Sequence, residues 1–212
     1  MHSSMKKEIC GIGLVAAQTM NAKPAAAFSA YSVGDFIEKI KSKDDRVRGP
    51  AWQHAETMGA PAVQPLEAVM VDQDFEIAQA ARRALYRIVR HAGRPGAKTE
   101  AKAVVAELIP MLRSAHALVR KDAAWMLSEI AGNEAIGPMS ALLSDPEVRE
   151  DVRCALMRFP GNRATSAFKT AFAAAPEEFK TALADTLRER GIKVQGYPSQ
   201  NIVPSRKTEV GV

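Results

Sequence analysis

The sequence predicts an all-α fold, a right-handed α-solenoid built of stacked helix pairs, and three observations predict it. An apolar stripe at offsets of 4, 8 and 11 residues recurs along the chain, which is the spacing of one helix face. The first residues of these stripes, Val47, Ile77, Val119, Val148 and Phe179, are separated by 30, 42, 29 and 31 residues. A period near thirty with two helices per unit marks a solenoid. Aromatic residues are few, at 6%, Ala is abundant and runs of β-branched residues are scarce, so the composition favours helix throughout.

The elements follow in chain order. Residues 1–30 place Lys6 and Lys7 before an apolar stretch from Ile9 to Ala17, with a small-residue site at Ala25 to Ala27. That order matches a secretory signal peptide and gives export, to a periplasm, as the expectation, with a cytoplasmic protein as the alternative. The stretch is too short to span a membrane as a helix. Removal of residues 1–27 takes away three lysines and one glutamate and lowers the formal charge from +5 to +3. A solenoid of residues 31–191 follows. Ser32 is an N-cap with Asp35 in the capping-box position, and Phe36, Ile37 and Ile40 give this first helix an apolar face that covers the end of the stack.

The first repeat carries Val47, Ala51, Ala55 and Met58 and closes at Gly59; the second carries Ile77, Ala81, Leu85 and Ile88. The long interval after it is assigned to an insert around His91 to Ala97, rich in turn-formers. The third repeat is the most complete. Val119, Ala123, Leu127 and Ile130 end at Ala131-Gly132, where Gly suits a left-handed helix stop, and Ile136, Met139, Leu142 and Leu143 form the second helix. Val148, Val152, Leu156 and Phe159 make the fourth repeat, and Phe179, Leu183 and Leu187 a partial fifth closed by Gly191. Residues 192–212 read as an extended or disordered tail, with Ile192, Val194 and Tyr197 as the groups that would dock it.

Asp145-Pro-Glu-Val-Arg149, Leu118-Val-Arg120 and Asp45-Arg-Val-Arg48, with second helices such as Ala62-Val-Gln-Pro-Leu66 and Ala135-Ile-Gly-Pro-Met139, resemble the HEAT repeat family. The likeness is to its short bacterial form, named after phycobilisome lyases, and covers roughly Lys43 to Gly191. The resemblance implies that Arg48, Arg120 and Arg149, with Asp45 and Asp145, bond between adjacent repeats and hold the stack. The second repeat departs from it, with Ala78 where the first, third and fourth carry Arg. It does not name a function, because one repeat scaffold hosts many.

A formal charge of +5 and a pI near 9.3 fit either a solvated helical surface or affinity for a polyanion. Cys10 and Cys154 imply no disulfide framework, and His2, His54, His91 and His116 lack metal-ligand spacing, so no metal or cofactor is expected. No Gly-rich phosphate loop, catalytic carboxylate pair or nucleophile–base pattern emerges, and the chain reads as non-enzymatic.

Candidate binding residues lie on the first helices, opposite the apolar stripe. Arg83, Arg87 and Arg90 share one face, Leu118 and Trp125 project the same way on the next repeat, and Arg158 holds a similar place on the fourth. Arg and Trp dominate interface hot spots; the alternative is that Trp125 packs between helices and the arginines are solvated. Trp52 points in another direction and reads as packing. The leading expectation is a scaffold binding a partner protein or peptide. Nucleic-acid binding, in the manner of a HEAT-like DNA glycosylase, follows from the Arg row and two Trp residues. Bilin attachment follows from the family's name alone.

Overall fold

A computed structural model describes residues 32–198. The expected leader and the end of the tail lie outside them. Ten α-helices occur among the described residues: α1 (Val33–Ile40), α2 (Asp45–Gln53), α3 (Val63–Val69), α4 (Phe75–Ala92), α5 (Lys98–Met111), α6 (Ala117–Ile130), α7 (Ile136–Ala141), α8 (Arg149–Met157), α9 (Asn162–Ala174) and α10 (Glu177–Glu189). They pack pairwise as an all-α repeat solenoid. Of the first helices, α2 lies against α4, α4 against α6 and α6 against α8, while in the second layer α3 meets α5 and α7 meets α9.

The apolar stripes face inward between these layers. Ala81, Leu85, Ala123, Leu127, Val152, Leu156 and Leu183 are fully buried and belong to one continuous core running from Phe36 to Leu187. Each buried Leu contributes about 1.5–3 kcal/mol over an exposed one. Val47 breaks the pattern and is 41% exposed. It starts the first repeat, and α1, which buries Phe36 and Ile40 and part of Val33 and Ile37, leaves the first turn of α2 open.

Arginines, two of them buried, tie one helix pair to the next. Arg120 donates to the Ser114 carbonyl at 2.8 Å and to Glu147 at 2.7 Å, with Asp145 at 3.1 Å, linking the third and fourth pairs. Arg48 donates to the Ser42 carbonyl and Asp45 and stands 4.0 Å from Glu76 on α4. Arg149 reaches Glu178 at 3.4 Å and lies over the Phe179 ring. In the second pair, which has Ala78 at this position, Arg82 takes the role one turn later. Its Nε and Nη2 donate to the Asp122 carboxylate of α6 at 2.5 and 2.6 Å, and Asp122 is only 2% exposed.

Two expectations about turns are corrected. Gly132 has a φ of −94°, so no left-handed stop forms there; the chain leaves α6 extended at Ala131, and the Glu134 carboxylate accepts from the Gly132 N–H at 2.9 Å. Gly59 and Gly191 do adopt positive φ, of 62° and 77°. The long interval after Ile77 is more than a loop insert, because α4 runs for 18 residues and α5 for 14 against 9 and 7 in α2 and α3. The start of the tail is docked. Ile192 and Val194 pack on the core, Arg188 donates to the carbonyls of Val194 and Tyr197, and the Tyr197 ring meets Phe172 edge-on at 5.3 Å.

Candidate interaction surface

The long α4 positions the candidate surface. Asp74 caps it, accepting from the N–H groups of Glu76 and Ile77, with Glu76 in the first turn and Arg90 and His91 in the last. Those charges suit the helix dipole at both ends. Burying Ile77, Ala81, Leu85 and Ile88 fixes the rotation of α4 and turns Gln79, Arg82, Arg83, Tyr86, Arg87 and Arg90 outward. Together with Trp52 of α2, these six line a cavity of about 390 Å³. Arg87 and Arg90 also border a second one of about 420 Å³, completed by Glu56, His91 and Arg94.

Aromatic rings and carboxylates set the positions of the guanidinium groups. Arg83 lies over the Trp52 ring at 5.4 Å, and Arg82 and Arg90 stand at 5.8 and 5.6 Å from the Tyr86 ring centre. Arg87 donates to Glu56 at 3.1 Å, Arg90 approaches Glu129 at 3.9 Å, and Arg94 pairs with Glu100 at 2.7 Å. Burial works against the Glu56 carboxylate, but the Arg87 hydrogen bond and the nearby charges of Arg87 and His54 more than offset it, and its pKa lies below the ordinary value. Burial first, then the Asp122 charge, pushes the Tyr86 phenol up to about 12, so its hydroxyl stays protonated and donates to Asp122 at 3.3 Å.

The charge is close to balanced. Five arginines (82, 83, 87, 90 and 94) face the four carboxylates of Asp122, Glu56, Glu129 and Glu100. Among the described residues, Arg83 alone of the five has neither an acidic partner nor a hydrogen bond, and it is exposed. No group of three His, Cys, Asp or Glu side chains converges on a metal-sized site among these residues, and no described helix is long and apolar enough to cross a membrane.

The structure divides the residues singled out from the sequence. Arg83, Arg87 and Arg90 share the cavity wall. Trp125 is half-buried against the core, Leu118 is 50% exposed at the start of α6, and Arg158 is exposed just after α8; none of the three lines the cavity. The tryptophan beside the arginines is therefore Trp52, which packs against the core as expected and also lies under Arg83, whereas Trp125 does not line the cavity. The 100° projection treats each helix alone. Trp52 sits in the last turn of a nine-residue helix that packs directly on α4, and that packing brings its ring under Arg83. Tyr86 and Arg82 were missed as well, although their spacing of four residues next to Arg83 and Arg90 signals one shared face.

No protein-family model matches the chain, and no curated protein matches it. Among solved structures it is similar to an engineered protein at 20% identity and a TM-score of 0.37, covering 76% of this chain and 85% of that one. It is also similar to a designed armadillo repeat protein in complex with the peptide (KR)4, at 19% identity and a TM-score of 0.38, over 76% and 88% of the two chains. A further designed armadillo repeat protein aligns at 16% identity and a TM-score of 0.34, over 74% and 99%. The resemblance to HEAT repeats stands on the repeat residues themselves.

Proposed function

We propose that the chain is a HEAT-like, non-enzymatic scaffold whose outer α4 face binds a partner protein or peptide. The observation that supports this most is the cavity of about 390 Å³ in which Trp52 and Tyr86 are interleaved with four arginines. Aromatic rings and guanidinium groups are the side chains that carry most energy at protein interfaces. They are held here on a capped helix rather than a loop, so little ordering entropy is lost on docking. The near balance of charge weighs against nucleic acid, whose affinity depends on cations free to displace counterions from phosphates.

A photo-crosslinking side chain at Gln79, in the cavity wall, tests the reading in the native host. The expected result is a saturable adduct with one protein, absent when the same group replaces Arg158. Nucleic acid in the adduct, or no saturable adduct from folded protein, contradicts it. The same material reveals the mature N-terminus and so decides between export and a cytoplasmic protein.

A further inference from the structure

The chemistry of the partner follows from how the arginines are already engaged, an inference that rests on the reading above. We propose that the α4 face takes an acidic peptide segment through one carboxylate paired with Arg83, while Glu56 holds Arg87 back from binding anions and Glu129 engages Arg90 only loosely.

Arg83 is the arginine of this face left open to a carboxylate. Its guanidinium lies over the Trp52 ring at 5.4 Å, and no acid or hydrogen-bond acceptor engages it among the described residues. Contact with a ring uses the face of the planar group, and its N–H donors lie in the plane. That fork matches a carboxylate in a bidentate pair. Trp52 and Tyr86 give the neighbouring side chains of the segment an apolar wall, and Gln79 offers an amide beside it.

The self-paired arginines set the limit on charge. Arg87 is hydrogen-bonded to Glu56 at 3.1 Å, and Arg82 is committed to the buried Asp122. A phosphate dianion carries two charges and is best matched by two cations, and here the second comes free only when the chain's own carboxylates are displaced. A single carboxylate needs one cation. Arg90, only 3.9 Å from Glu129, is the next to be recruited.

The test is calorimetric titration of the full chain, near physiological salt, with three acetylated peptides in which tyrosine alternates with glutamate, glutamine or lysine. An ion pair on an exposed guanidinium is a modest contact, so the glutamate peptide is expected to bind about threefold to fivefold tighter than the glutamine one. Arg83→Gln removes that difference. Glu56→Gln releases Arg87 and tightens the glutamate peptide by roughly threefold, the gain of one partly exposed charge contact. Equal binding of the glutamine peptide, preference for the lysine peptide, or an unchanged glutamate affinity in folded Arg83→Gln overturns the carboxylate while leaving peptide docking intact. Failure of all three peptides to bind folded protein overturns the inference too. A glutamate peptide that binds as expected, with no protein adduct through position 79, overturns the partner reading alone.

Discussion

Arg120 and Arg83 sit on neighbouring first helices, and their surroundings differ at every point that matters. Arg120 is 8% exposed and is held by two carbonyls and two carboxylates at the junction of two helix pairs. Arg83 stands in solvent with a single aromatic ring beneath it. The first group is engaged through both terminal nitrogens, its buried Nε alone lacking a partner, so removing it unties two helix pairs; the second is open, so removing it is expected to cost the fold little. Arginine content alone could not separate the two regions. Counting the acceptors already assigned to each guanidinium does.

The sharpest way to break the comparison is Arg82→Ala, which strands Asp122 in the interior. Losing one partner of a buried pair costs 3–5 kcal/mol, and partial exposure of Arg82 puts this case at about 3 kcal/mol. For a chain of this size that lowers Tm by roughly 6–12 °C, readable by calorimetry or circular dichroism. Arg120→Ala is expected to cost about 2 kcal/mol in a denaturant titration, because Glu147 returns to water easily while the Ser114 carbonyl loses a donor. Arg149→Ala, facing an exposed Glu178 and one ring, is expected to cost about 1 kcal/mol.

Proton linkage gives smaller, signed effects. The Tyr86 phenol is raised from 10.0 to about 12, so its contribution to stability is intact below pH 10 and is lost as pH rises towards 12. Phenolate absorbance should show this tyrosine ionising late, and Asp122→Asn should bring its titration down. Glu56 has the opposite sign. Its lowered pKa contributes stability above the ordinary carboxylate range, lost as pH falls through the folded value, and Arg87→Gln should flatten that acid limb. Smallest of all is Arg83→Ala, expected within about 0.5 kcal/mol of the parent stability.

Much of the fold was legible because periodicity is a local property. The stripes from Ile77, Val119, Val148 and Phe179 bury as their spacing requires, and the inter-pair role of Arg120 and Arg149 follows the resemblance of the repeat motif. What failed depends on two helices at once. Arg82 replaces the missing Arg at position 78 only because Asp122 of the next helix lies within reach, and Trp52 joins Arg83 only through the packing of α2 on α4. Val47 was misjudged for a related reason, since a stripe says which face is apolar but not whether a neighbour covers it. At Gly132 the glutamate two residues on supplied a different way out of the helix.

The most direct measurement of the central claim takes Arg83→Ala and Arg120→Ala through melting and capture of the crosslinked partner on the same samples. The expected result is a division: Arg83→Ala keeps its Tm and loses the partner, whereas Arg120→Ala melts earlier and still binds below its transition. Equal loss of partner from both, or binding retained by Arg83→Ala, would contradict the assignment of the α4 face as the site.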